Sequence, residues 1–124
     1  LIADPSKSVT DEYGGHERAG ALPAAAVAGL PILLTECGGI GFGRYSDSDF
    51  SYGDIPQSEE ALEQHIREIT DMIDAAGSLQ GFVWTQLTDI QQEINGLLYF
   101  DRTPKLPLPT LRAIITSVGR NLGD

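Results

Sequence analysis

Glu36 is the side chain best placed to do chemistry. It stands in PILLTECGG, residues 31 to 39, where an apolar run ends in an acid followed by Cys37 and two glycines. A carboxylate at the end of a buried strand is desolvated on one side, and the glycines after it let the chain turn sharply and let a ligand approach the backbone. The same carboxylate would do no more than hold the loop layer together if it paired with an arginine there. Cys37 offers a thiol nucleophile with His16 or His65 as base. Against it, His65 falls within a helical pattern, no Asn or Asp recognisably orients either histidine, and a lone cysteine is most often a small buried hydrophobe. The glycines of GGIGFG, residues 38 to 43, miss the dinucleotide-loop spacing because Arg44 stands where the last glycine belongs, so no nucleotide cofactor is expected. The two histidines are far apart and no carboxylate cluster has ligand spacing, so no metal is expected either. Trp84 would serve as a core residue or as a flat platform for a sugar face. Asp89 and Glu93 would be ligand-binding acids on the same rim as Glu36, or solvated loop acids.

Two buried strands would have to position these groups. Ile32 to Thr35 and the run GFVWTQ from Gly81 are continuously apolar, as in parallel sheets covered on both faces. Ligands bind at the carboxyl ends of such strands, which is where Glu36 falls. Between the two lies a helix opened by Ser58 as N-cap, with Glu59 and Glu60 at the positive end of its dipole. Leu62, Ile66, Ile69 and Ile73 recur at helical spacing, and Gly77 closes the element. An alanine-rich stretch ending at Gly29 and Pro31 predicts a short helix before the first strand, and Thr110 to about Gly119 predicts a last one, with Leu111, Ile114, Ile115 and Val118 on one stripe. Residues 1 to 20 and 38 to 57 read as loops, the second long enough to be functional. The order helix, strand, helix, strand, helix implies an α/β fold with two parallel strands.

Composition bounds the function. The 124 residues, 41% of them hydrophobic, suit one globular domain. A net charge of -10, from 18 acids and 8 bases, opposes a nucleic-acid partner or an anionic membrane surface. One cysteine excludes an internal disulfide. No apolar stretch approaches the roughly 20 residues that span a bilayer. The first residues, LIADPSKSV, lack the features of a signal peptide, and with no initiating Met the chain reads as a segment of something longer.

Three stretches together resemble a known family. PILLTECGGIGF is similar to the seventh-strand motif of family 2 glycoside hydrolases, the β-galactosidase and β-glucuronidase group. GFVWTQLTD resembles the eighth strand of the same (β/α)8 TIM barrel, and NGLLYFDRTPKLPL the segment leading into its last helix. The likeness covers roughly residues 22 to 115, in the family's order and spacing. It implies that residues 1–124 are a C-terminal segment of the catalytic barrel, incomplete as a barrel, since the whole takes about 250 residues. It implies further that Glu36 is the nucleophile of a retaining β-glycosidase acting on a carbohydrate substrate, most readily a galactoside, with Trp84 and Asp89 binding the sugar. Asp101 and Arg102 would be structural residues fixing the final helix.

The chain departs from the family at Cys37, where an aromatic residue is usual. LTDIQQEING has no lysine to read a sugar carboxylate, which disfavours a glucuronidase. No Asn-Glu pair supplies the family's general acid/base, so the segment alone would be inactive. The open sheet left by the missing strands predicts self-association or association with the rest of the barrel. The rival readings are a small α/β module that binds carbohydrate or protein through the loop at Gly38 to Ser58, and a hydrolase dependent on Cys37.

Overall fold

The computed structural model describes residues 9–10, 17–18, 30–43, 46, 48–51 and 54–119. Its elements are β1 (Val9–Thr10), β2 (Glu17–Arg18), β3 (Ile32–Gly38), α1 (Glu59–Ala75), β4 (Leu79–Thr85) and α2 (Leu108–Ile115). The helix expected before β3 lies outside the described residues. β1 and β2 pair antiparallel over two residues each, in a stretch read from the sequence as loop. So short a ladder has no hydrophobic alternation by which to be recognised.

β3 and β4 pair in parallel, with α1 in the connection between them. The result is mixed α/β, two parallel strands with helices. Ser58 caps α1 as expected: its Oγ accepts from Ala61 N at 3.2 Å. At the other end Gly77 takes φ +61, the left-handed conformation that a residue just past a helix adopts most readily as glycine. The buried face of α1 is Leu62, Ile66, Thr70 and Ile73, while Ile69 is only half-buried. Thr70 is tolerated in that face because its hydroxyl donates to the Ile66 and Arg67 carbonyls at 3.1 and 2.9 Å.

α2 begins two residues earlier and ends four residues sooner than its apolar stripe predicts. Pro107 sits at its N-cap and Pro109 in its first turn, where a missing N–H costs nothing. Past its end, Gly119 N donates to Asp74 Oδ1 at 2.7 Å and ties the turn back to α1. Leu62, Ile66, Leu106, Leu111 and Ile114 form the core cluster, with Ile40, Phe42, Trp84 and Leu97 packed against it. The sheet is left uncovered elsewhere: Leu33 and Val83, one on each strand, are more than half exposed. Among the described residues no helix is long and apolar enough to cross a membrane.

Candidate functional site

β3 runs three residues further than its apolar run, so Glu36 lies within the strand and not just beyond it. The ladder explains how the acid is nevertheless presented. Leu34 pairs with Phe82 and Cys37 with Trp84, so Thr35 and Glu36 together oppose Val83 alone. This is a β-bulge, one extra residue in one strand, which bends the strand and re-aims the side chains it carries. Thr35 and Glu36 are both exposed. A compensating irregularity occurs on β4, where Gln80 is skipped between the Ile32–Leu79 and Leu33–Gly81 pairs; its side-chain oxygen accepts from Ile32 N at 2.6 Å.

Beyond the bulge the chain turns through Gly38 at φ +100 and Gly39 at φ +72. Gly39 N then donates to Thr85 O at 2.6 Å, joining the ends of the two strands. No larger residue fits at Gly38, because a Cβ there would lie 2.6 Å from Trp84 Cε2. Glu36, Cys37, Gly38, Gly39 and Thr85 line a shallow cavity of about 140 Å³. The Thr85–Gln86 peptide bond at its edge is cis.

Cys37 is half-buried. Its Sγ donates to Val83 O at 3.3 Å, and burial pushes the thiol above its ordinary range. Both effects oppose the thiolate a nucleophilic cysteine needs. His65 lies on α1, outside the set of residues lining the Glu36 cavity. His16 lies outside the described residues.

The other candidate residues go elsewhere. Trp84 is packed against the core cluster, its indole edge over Gly38, and lines a small internal space beside Leu62, Ile66 and Leu111. Asp89 is 8% exposed and its Oδ1 accepts from Lys105 Nζ at 2.7 Å and from Gly96 N at 2.8 Å. Glu93 accepts from Gln86 Nε2 at 3.4 Å and helps close the loop after β4. Glu36, Trp84 and Asp89 thus line three separate cavities.

Lys105 escapes the sequence reading altogether. Its ammonium is fully buried, donates to Asp89 and to Ile94 O at 2.7 Å each, and lies 5.3 Å from the centroid of Tyr99. Burial lowers its pKa, while the hydrogen bond and charge of Asp89 act in the opposite direction. Nothing in the sequence marks it, since a lysine in a proline-rich run reads as exposed loop. It, and not Arg102, braces the approach to α2: Arg102 is exposed at φ +69, and Asp101 accepts from Thr103 N at 2.8 Å within its own turn.

Asp89 also borders an open cleft of about 510 Å³ between the β3–α1 and β4–α2 loops, together with Phe42, Asp49, Tyr99, Phe100 and Asp101. Burial raises the Tyr99 phenol, and the charges of Glu59, Asp89 and Asp101 push it the same way. Among the described residues no group of three or more His, Cys, Asp or Glu side chains is arranged to hold a metal ion. Neither a protein-family model nor a curated protein matches the chain.

Proposed function

We propose that Glu36 is the nucleophile of a retaining β-glycosidase, and that the chain contributes the last two strands of its (β/α)8 barrel. The observation that carries the reading is the bulge. It places an exposed carboxylate near the carboxyl end of a parallel strand, beside two left-handed glycines, in a stretch that resembles the nucleophile motif of family 2 glycoside hydrolases.

The chemistry asks for a second carboxyl. In a retaining enzyme one carboxylate attacks the anomeric carbon and breaks its bond to the leaving oxygen, which takes a proton from an acid roughly 5 to 5.5 Å away; water, activated by that same group, then releases the sugar. Glu36 is the one acid lining its cavity among the described residues. On this reading the acid/base belongs to chain that covers the exposed Leu33 and Val83 face, and the 124 residues alone do not turn over. Losing proton donation to the leaving group costs about 10²- to 10⁴-fold by itself. The apolar face would associate with that chain or with a second copy. The substrate is a β-glycoside, a galactoside first, with Trp84 backing Gly38 from the core side of the pocket and Asp89 holding the loop after β4.

Incubation with a 2-deoxy-2-fluoro-β-galactoside tests this, on the chain alone and within the longer polypeptide that the barrel reading requires. The fluorine slows both chemical steps and a good leaving group rescues the first, so the glycosyl-enzyme accumulates. Intact mass and peptide mapping should place the label on Glu36 in the longer polypeptide. No label on a polypeptide that hydrolyses β-galactosides would remove Glu36 from the role.

A further inference from the structure

We propose that the cleft between the β3–α1 and β4–α2 loops binds a small organic cation, a primary or quaternary ammonium carried on an apolar body. At about 510 Å³ the cleft has the size of a ligand site. Its walls combine three aromatic rings, Phe42, Tyr99 and Phe100, with three carboxylates, Asp49, Asp89 and Asp101. Rings attract a cation through their negative faces, and carboxylates add a long-range field of the same preference.

Burial first, and after it the charges of Glu59, Asp89 and Asp101, push the Tyr99 phenol up, the direction a surplus of carboxylates gives. None of the described residues lining the cleft is basic. Lys105 lies over the Tyr99 ring, 5.3 Å from its centroid, and is bonded to Asp89, which leaves Phe42 and Phe100 as the rings, and Asp49 and Asp101 as the carboxylates, most available to a ligand. The three carboxylates do not converge as metal ligands. Each is fixed by donors of its own loop: Asp49 by Ser46, Asp89 by Gly96 and Lys105, Asp101 by Thr103. A ligand that needs diffuse negative potential and apolar contact suits this arrangement better than one that needs direct carboxylate coordination.

The rings are also held in place. A Cβ at Gly43 would lie 2.9 Å from Tyr99 Cε1, so the close approach of backbone to ring depends on glycine. Tyr99 N donates to Thr103 O and Phe42 N to Ile94 O, at 2.8 and 3.0 Å. Phe100, 74% exposed, is the face most open to a ligand.

The site is independent of the glycosidase reading, because binding is measured without turnover. The ¹⁵N-labelled chain is titrated with benzyltrimethylammonium and, separately, with benzyl alcohol and benzoate. The cation should give saturable shifts at the amides of Gln91, Tyr99 and Phe100, with benzyl alcohol weaker and benzoate silent. Phe100→Ala, at an exposed position, should weaken the cation about two- to fivefold, the range of an exposed cation–π contact. Asp49→Asn with Asp101→Asn should flatten the salt dependence. Equal binding of alcohol and cation, binding of benzoate, shifts mapping outside the cleft, or no saturation would overturn the proposal.

Discussion

Lys105 Nζ lies 2.7 Å from Asp89 Oδ1, with the two side chains 0% and 8% exposed. Such a pair contributes little relative to an apolar replacement of both, yet removing one member leaves the other charge buried and alone. Lys105→Met should therefore cost about 3 to 5 kcal/mol. The double variant Asp89→Asn, Lys105→Met should recover part of that, because the amide removes the buried charge and its oxygen still accepts from Gly96 N. Urea unfolding of the three proteins is the check, and an unchanged midpoint in the single variant would contradict the pair's burial.

Among the described residues the Glu36 side chain makes no hydrogen bond or ion pair, so the role proposed for it can be tested apart from the fold. Glu36→Gln should change stability by less than about 0.5 kcal/mol, as exposed substitutions usually do. In the longer polypeptide that the glycosidase proposal requires, it should abolish both hydrolysis and labelling by the fluoro-sugar. Retention of full activity by a folded variant would reassign the nucleophile.

Two glycines with positive φ separate steric from conformational cost. At Gly77 nothing lies within 4 Å of an added Cβ, so Gly77→Ala should cost only the left-handed backbone, about 1 to 2 kcal/mol. At Gly38 the same change also drives a methyl into the Trp84 indole and the Thr85 carbonyl. Overpacking adds about 1 to 3 kcal/mol, so Gly38→Ala should be the more damaging and should shift Trp84 fluorescence, which Gly77→Ala leaves alone.

The Thr103 backbone N–H, and after it the Thr103 hydroxyl, hold the Asp101 carboxyl below its ordinary value of 3.8. A carboxyl depressed in the folded state contributes stability that is present above the unfolded value and lost as pH falls through the folded one. Carboxyl-carbon NMR should therefore find the Asp101 midpoint below 3.8. Thr103→Ala should raise it only in part, since the backbone donor remains.

Legibility in the sequence follows the range of the interaction. Ser58, the α1 stripe and Gly77 are local: a capping hydroxyl, a 3.6-residue period and a left-handed terminus all act within a few residues, and each is in place. Continuous apolar runs mark both parallel strands but not their ends. β3 extends past Thr35 to Gly38 because Cys37 and Gly38 pair with a strand distant in the chain, with Glu36 carried in the bulge between. The bulge depends on how two strands are counted against each other, which neither strand reveals alone. The same is true of the Asp89–Lys105 pair, where residues 16 apart become partners only after the loop between them has folded. Asp89 reads as a rim acid because it falls just beyond the end of the second strand.

The separation that hides the bulge also has a kinetic meaning. Ile32 bonds to Gln80 across 48 residues, and Cys37 to Val83 across 46. Closing so long a loop costs chain entropy before any ladder contact repays it, whereas α1 forms from neighbours. The β3–β4 zipper is therefore expected to close after α1 has formed. Among the described residues each strand has a single ladder partner, so no third strand retains β3 if that zipper opens. Glu36 is aimed by a junction between two distant parts of the chain, and its orientation lasts only as long as they stay joined.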